Sequence, residues 1–172
     1  MKRVFFVLCL IPLSLTLGHG ETVFPAASIY TRPGYPGLPP YDPAIRASVV
    51  IWSDGQIVWS RDQRPGRGGP PYLTARIAPS QVQALLNGLE RKGGFDESLP
   101  HAHGDHSRSN VIHLQTRKHK TIFTLTREHL INLHTEEDRR FRRLWDDMRS
   151  SIEALIPKKG TTYERSAFVP PK

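Results

Sequence analysis

Within six residues, His101-Ala102-His103-Gly104-Asp105-His106, the chain gathers three imidazoles and a carboxylate. Imidazoles two and three positions apart can converge on one cation where the backbone bends, and bound Zn²⁺ lowers the pKa of its water to about 7, supplying hydroxide at neutral pH. His101, His103, Asp105 and His106 are therefore candidate ligands for zinc, copper or nickel. The plainer alternative is a polar loop in which Asp105 or Ser109 shapes the entry to the next strand through side-chain to backbone hydrogen bonds. A second kind of chemistry lies in two basic clusters. Arg61, Arg64 and Arg67 fall in a loop rich in proline and glycine, and Arg117, Lys118, His119 and Lys120 sit between two strand-like runs. Either cluster can attract an anion or simply be solvated.

The hexapeptide resembles the HxHxDH pattern of the metallo-β-lactamase superfamily. That resemblance implies His101 and His103 on one metal and Asp105 and His106 on a second. In that superfamily the pattern follows a buried apolar strand and precedes a long second half that supplies further ligands. Here Phe95-Asp96-Glu97-Ser98-Leu99-Pro100 precedes it and reads as a loop leaving a helix, and only about fifty foldable residues follow. The match is read as a coincidence of a short pattern. No cofactor is the first expectation, with zinc and a metal-dependent hydrolase as the alternative. A Gly-x-Ser-x-Gly elbow, a glycine-rich phosphate loop and a His-Glu-x-x-His helix are all absent from the sequence. The enzyme reading therefore leans to no.

The elements that must position these residues are legible in part. Val49-Val50-Ile51-Trp52 and Ile57-Val58-Trp59 flank Asp54-Gly55, a pair favoured where a hairpin needs positive φ. The two tryptophans are expected to cover the sheet, with ligand stacking as the other option. A third strand is predicted near residues 72–77. Pro79-Ser80 opens a helix with Val82, Leu85, Leu86 and Leu89 on one face, ended by Gly93-Gly94. Residues 110–116 and 121–125 predict a second strand pair with the basic cluster at its turn. From Thr135, a cap followed by Glu136, Glu137 and Asp138, a last helix carries Phe141, Leu144, Trp145, Met148, Ile152, Leu155 and Ile156 at helical spacing. Its arginines have acids four residues away: Glu136 to Arg140, Asp138 to Arg142, Arg142 to Asp146, Arg143 to Asp147 and Arg149 to Glu153. This predicts a self-neutralising solvated face, and no specific nucleic-acid binding is expected.

The fold class that follows is α+β, a single antiparallel sheet in the order β-β-β-α-β-β-α with both helices packed on one face. The domain is expected over residues 45–156. Residues 21–44, with six prolines and two glycines, are expected to be a disordered arm, and residues 157–172 a flexible tail in which Phe168 and Val169 could dock.

Export is read from the start of the chain. Lys2 and Arg3, an apolar run over residues 4–17 and Gly18-His19-Gly20 have the pattern of a signal peptide cut before Glu21. The run is shorter than the roughly 20 residues that span a bilayer. Cys9 falls inside it, so the mature chain would be free of cysteine and fold without disulfides. Losing Lys2 and Arg3 lowers the formal charge from +8 to +6, still basic. The order of elements, with Asp54-Gly55, Phe95 and Asp105 as marks, is similar to small exported bacterial domains of unknown function. That resemblance implies a cell-envelope setting, periplasmic or extracellular, with no transmembrane segment in the mature chain. The function expected is a non-catalytic binding or accessory module, whose partner is an envelope protein or an anionic polymer.

Overall fold

The computed structural model describes residues 22–32, 46–64, 68–96, 109–125 and 135–163. Residues 1–20, Arg67, the hexapeptide 101–106 and Phe168-Val169 lie outside the described residues. The elements are, in chain order, β1 (Pro25–Arg32), β2 (Arg46–Trp52), β3 (Gln56–Ser60), β4 (Tyr72–Arg76), α1 (Pro79–Arg91), β5 (Ser109–Gln115), β6 (Lys120–Leu125), α2 (Glu136–Glu153) and β7 (Thr161–Tyr163). The strands form one antiparallel sheet in the order β6-β5-β1-β2-β3-β4-β7.

Two local features start the sheet. Gly55 takes φ +86, its N–H donates to Trp52 O at 3.0 Å, and Asp54 Oδ1 accepts from the Gln56 N–H at 3.1 Å. A Cβ at Gly55 would lie 2.1 Å from Ile77 O, so glycine is required both for the turn and for the close passage of the chain leaving β4. Across that passage, Arg76 pairs with Asp54 at 2.7 Å. At the other hairpin, Thr116 N–H donates to His119 O at 2.7 Å and closes the β5–β6 turn.

The expected arm needs correcting over part of its length. Residues 25–32 form β1, an interior strand of the sheet between β5 and β2. Small side chains explain how a proline-rich stretch fills that place. Ala26 and Ala27 are fully buried where both helices pass over β1, and Pro25 stands at the first strand position, where a missing N–H is tolerated. The expected tail also contributes a strand, because Thr161, Thr162 and Tyr163 pair with Thr74, Leu73 and Tyr72. Gly160 permits this approach, since a Cβ there would fall 2.4 Å from the Trp59 ring and 2.8 Å from Thr74 O. The order is thus the expected one with a strand added at each end.

Both helices bury their apolar stripes in one cluster. Val82, Leu85, Leu86 and Leu89 of α1 and Phe141, Trp145, Met148 and Ile152 of α2 meet Ile29, Ile51, Ile57, Ile112, Leu114 and Phe123 of the sheet. In α1, Gln81 Oε1 accepts from the Ala78 N–H at 3.0 Å. The helix ends in a Schellman motif, with Gly93 N–H on Glu90 O at 3.0 Å and Gly94 N–H on Leu89 O at 2.8 Å. In α2, Thr135 Oγ1 accepts from Asp138 N–H and Asp138 Oδ2 from Thr135 N–H, each at 3.0 Å. A second, smaller cluster of Ala47, Val50, Trp52, Val58 and Tyr72, flanked by Val23, Tyr30 and Tyr163, occupies the opposite face of the sheet. The tryptophans are divided between the clusters, Trp59 on the helix side and Trp52 on the other, at 4% and 2% exposure, so neither is available for stacking a ligand.

Candidate anion-binding site

The basic turn residues Arg117, Lys118, His119 and Lys120 are consecutive and all exposed. Their backbone is held by Thr116, whose Oγ1 accepts from Lys118 N–H at 3.2 Å and from His119 N–H at 2.9 Å. A threonine hydroxyl bonding two residues onward mimics a backbone turn and fixes the loop. The tip also has a footing on α1: the Gly93-Gly94 ending redirects the chain so that the Phe95 ring lies 6.3 Å, centroid to centroid, from the His119 ring. The basic side chains of residues 117–120 are thus carried on a hairpin turn whose backbone is fixed.

Beside the tip, His113 is half-buried in β5, opposite Ser28 of β1 and Ile122 of β6, and its Nε2 has no hydrogen-bond partner among the described residues. Burial, reinforced by the nearby Lys120 charge, lowers its pKa to about 4. At neutral pH this imidazole is uncharged and adds no positive charge beside the tip. In the sequence, the strand alternation that sets His113 apart from Ile112 and Leu114 is the signal that singles it out.

The other basic cluster is built differently. Arg64 grips Asp62 in a two-pronged pair, Nε on Oδ1 at 2.8 Å and Nη2 on Oδ2 at 2.6 Å. The loop is strapped to β2, with Gly69 N–H on Ala47 O at 3.0 Å and Gln63 Nε2 on Ser48 O at 3.2 Å. Gly68, at φ +57, passes so close that a Cβ would sit 2.8 Å from Ala47 O. Gly68 therefore serves close packing, and the Arg64 charge is directed at its neighbour. Arg61 is exposed.

The two clusters are not brought together. Lys120 pairs with Gln115 at the end of the sheet where Leu114, Ala27, Ile51, Ile57 and Ala75 align, whereas the Arg61–Arg64 loop leaves from the Ser60–Tyr72 pair at the other end. With four strand spacings between β6 and β3, the clusters are roughly 20 Å apart across the sheet alone.

The helix arginines pair as a solvated face does, with some exchange of partners. Arg142 holds Asp146 at 2.9 Å and Arg149 holds Glu153 at 2.7 Å, as the spacing predicts. Glu136 instead takes Arg143 and Arg139, at 2.7 and 3.0 Å, and these two hold its carboxyl below the usual range. Asp138 faces back to cap Thr135, and Asp147 reaches Lys92 of α1 at 3.5 Å. Among the described residues no group of three or more histidine, cysteine or acidic side chains is placed to hold a metal, and the hexapeptide lies outside that set. No helix of the described residues is long and apolar enough to cross a membrane. No protein-family model matches the chain, and the search of curated proteins finds no match either.

Proposed function

We propose that this is an exported, non-catalytic binding module of the bacterial cell envelope that attaches to an anionic polymer through the β5–β6 hairpin tip. One observation carries the reading: four consecutive basic residues, 117–120, are exposed on a turn whose backbone Thr116 fixes. A braced cationic tip loses less conformational freedom on binding than a loose tail would. The strapped Arg61–Arg64 loop contributes little, because Asp62 already engages Arg64.

Retention on heparin, as a probe polyanion, tests this. The parent protein is expected to elute progressively earlier as salt rises, and Arg117→Ala/Lys118→Ala/Lys120→Ala to elute at much lower salt. Arg61→Ala/Arg64→Ala should remain close to the parent. Retention indifferent to salt, or unchanged in the triple variant, would remove the proposal.

A further inference from the structure

Arg64, Arg76, Lys92 and the paired arginines of α2 each hold an acid. Among the described residues Arg91, Lys118, Lys120, Lys158 and Lys159 are exposed and in no ion pair, and the register of the sheet brings all five to one end. Followed across the strand pairs, Ile122, His113, Ser28, Val50, Val58, Thr74 and Thr161 fall in a single row. Six antiparallel steps make β6 and β7 run in the same direction. Lys120 and Lys159 each precede that row by two residues, so the hairpin tip and the Lys158-Lys159 pair leave the sheet at the same end. They stand on its two outer strands, six strand spacings or roughly 30 Å apart. Helix α1 lies along this end. Its first residue adjoins the β2–β3 turn, where a Cβ on Gly55 would stand 3.4 Å from Pro79 N, and its last leads through Gly93-Gly94 to the Phe95 ring beside His119. From Pro79 to Leu89 the helix has no charged residue, and its exposed Gln83 and Asn87 are joined amide to amide at 2.7 Å. Asp54, at the start of α1, is held by Arg76, and Glu90 is followed by Arg91.

We infer that the partner is a long linear polyanion laid along this end of the sheet, from the hairpin tip across α1 to Lys158 and Lys159. The inference rests on the tip as the anion site and adds a second foothold to it. The two basic groups are separated by several times the screening length of about 8 Å at physiological salt, so one phosphate, sulfate or carboxylate group cannot feel both. A chain long enough to reach both makes its second contact as an intramolecular event, at high effective concentration. The uncharged stretch of α1 between the footholds sets no carboxylate against the polymer, and its amides can donate to it. Arg46 and Arg61, also exposed and in no ion pair among the described residues, lie at the opposite end of the sheet and off this track.

Calorimetric titration with size-fractionated heparin tests this, using fragments whose extended lengths run from well below to well above roughly 30 Å. The parent should bind the spanning fragments at least about tenfold more tightly than the short ones. Lys158→Ala/Lys159→Ala should leave short-fragment affinity within about twofold of the parent and remove most of the gain with length. Its salt dependence with long fragments should fall by about two charges, one per lysine. Arg46→Ala/Arg61→Ala loses the same charge at the opposite end and should keep the gain, which separates a track from net charge alone. A reading without variants comes from amine labelling: long fragments should shield Lys158 and Lys159 from an amine-reactive reagent, and short ones should not. A length gain unchanged in the lysine variant, a gain lost equally in the arginine variant, or lysines left unshielded by long fragments would each overturn the track while the tip reading stands. Failure of the parent to bind any fragment, or short-fragment binding indifferent to Arg117→Ala/Lys118→Ala/Lys120→Ala, would overturn the tip reading and the track with it.

Discussion

Two adjacent cross-strand rows run through the sheet on opposite faces. The helix-covered row reads Phe123, Ile112, Ile29, Val49, Trp59 and Leu73 from β6 to β4, and the row beside it reads Ile122, His113, Ser28, Val50, Val58 and Thr74. The first is apolar from end to end and is sealed by α1 and α2. The second mixes apolar, hydroxyl and imidazole side chains and finishes on the exposed Ile122 of β6. A sheet can therefore commit one face wholly to stability and leave the other to respond to solvent, pH and partners. The helix-covered row should be sensitive to lost volume and indifferent to protons; its neighbour should be the reverse.

The largest effect is expected from Phe123→Ala. Phe123 is 1% exposed and its ring stands 6.3 Å from that of Phe141 on α2, so truncation leaves a cavity between sheet and helix. A loss of about 3–5 kcal/mol is expected for such a change. Chemical denaturation at neutral pH and at about pH 5 should give the same decrement relative to the parent at both values, since no titratable group of the row is involved. A decrement that changes with pH would mean that the two faces are coupled.

Acid should act through the neighbouring row. The folded-state pKa of His113, about 4, lies below its ordinary value of 6.5, so the folded protein prefers the neutral imidazole. The unfolded chain binds the proton first, and the associated stability is therefore fully present above pH 6.5 and is lost as pH falls from there toward 4. The shift corresponds to at most about 3 kcal/mol. His113→Val, which keeps a branched side chain in the strand, should flatten this part of the stability profile and be more stable than the parent near pH 5. Equal profiles for parent and variant over that interval would remove His113 as the acid-sensitive group.

The sequence signals that succeeded here are local ones. Asp54-Gly55 specifies its hairpin within four residues, Thr135 with Asp138 caps α2 within one turn, and Gly93-Gly94 ends α1 through bonds to Leu89 and Glu90. The basic tip is legible for the same reason: it is a turn between two strands adjacent in sequence. What escaped notice was β1, whose partner Leu114 is 87 residues from Ala27 and whose small side chains give no apolar peak among six prolines. β7 is hidden in the same way, three residues paired with β4 across most of the domain. The pairing of Glu136 with Arg143, seven residues on, also departs from four-residue spacing, while Asp147, the acid four residues after Arg143, reaches Lys92 of α1. Long-range pairing depends on which small side chains lie beneath a crossing helix, and a single sequence does not display that.

The smallest expected effect lies on the same face as His113, at the far end of β3. Ser60 is 1% exposed, its hydroxyl donates to Gly69 O at 2.5 Å, and the same oxygen accepts from Asp62 N–H at 3.1 Å. One hydroxyl thus ties both ends of the Arg61–Pro71 loop, whose second strap is Gln63 on Ser48 O. Ser60→Ala removes both bonds at little cost in volume, and a buried polar group left without a partner costs about 1–3 kcal/mol. Because Gln63 and the Gly69–Ala47 bond persist, the expected loss is at the low end, about 1 kcal/mol. It should be independent of pH, which separates it from the His113 effect on the same face. Hydrogen exchange should place the change in the loop, with faster exchange at Asp62 and Gly69 and little at β5 or β6. A loss that grows in acid, or faster exchange spread to β5, would mean that this face responds as one cooperative unit and not as a hydroxyl strap at one end and an imidazole at the other.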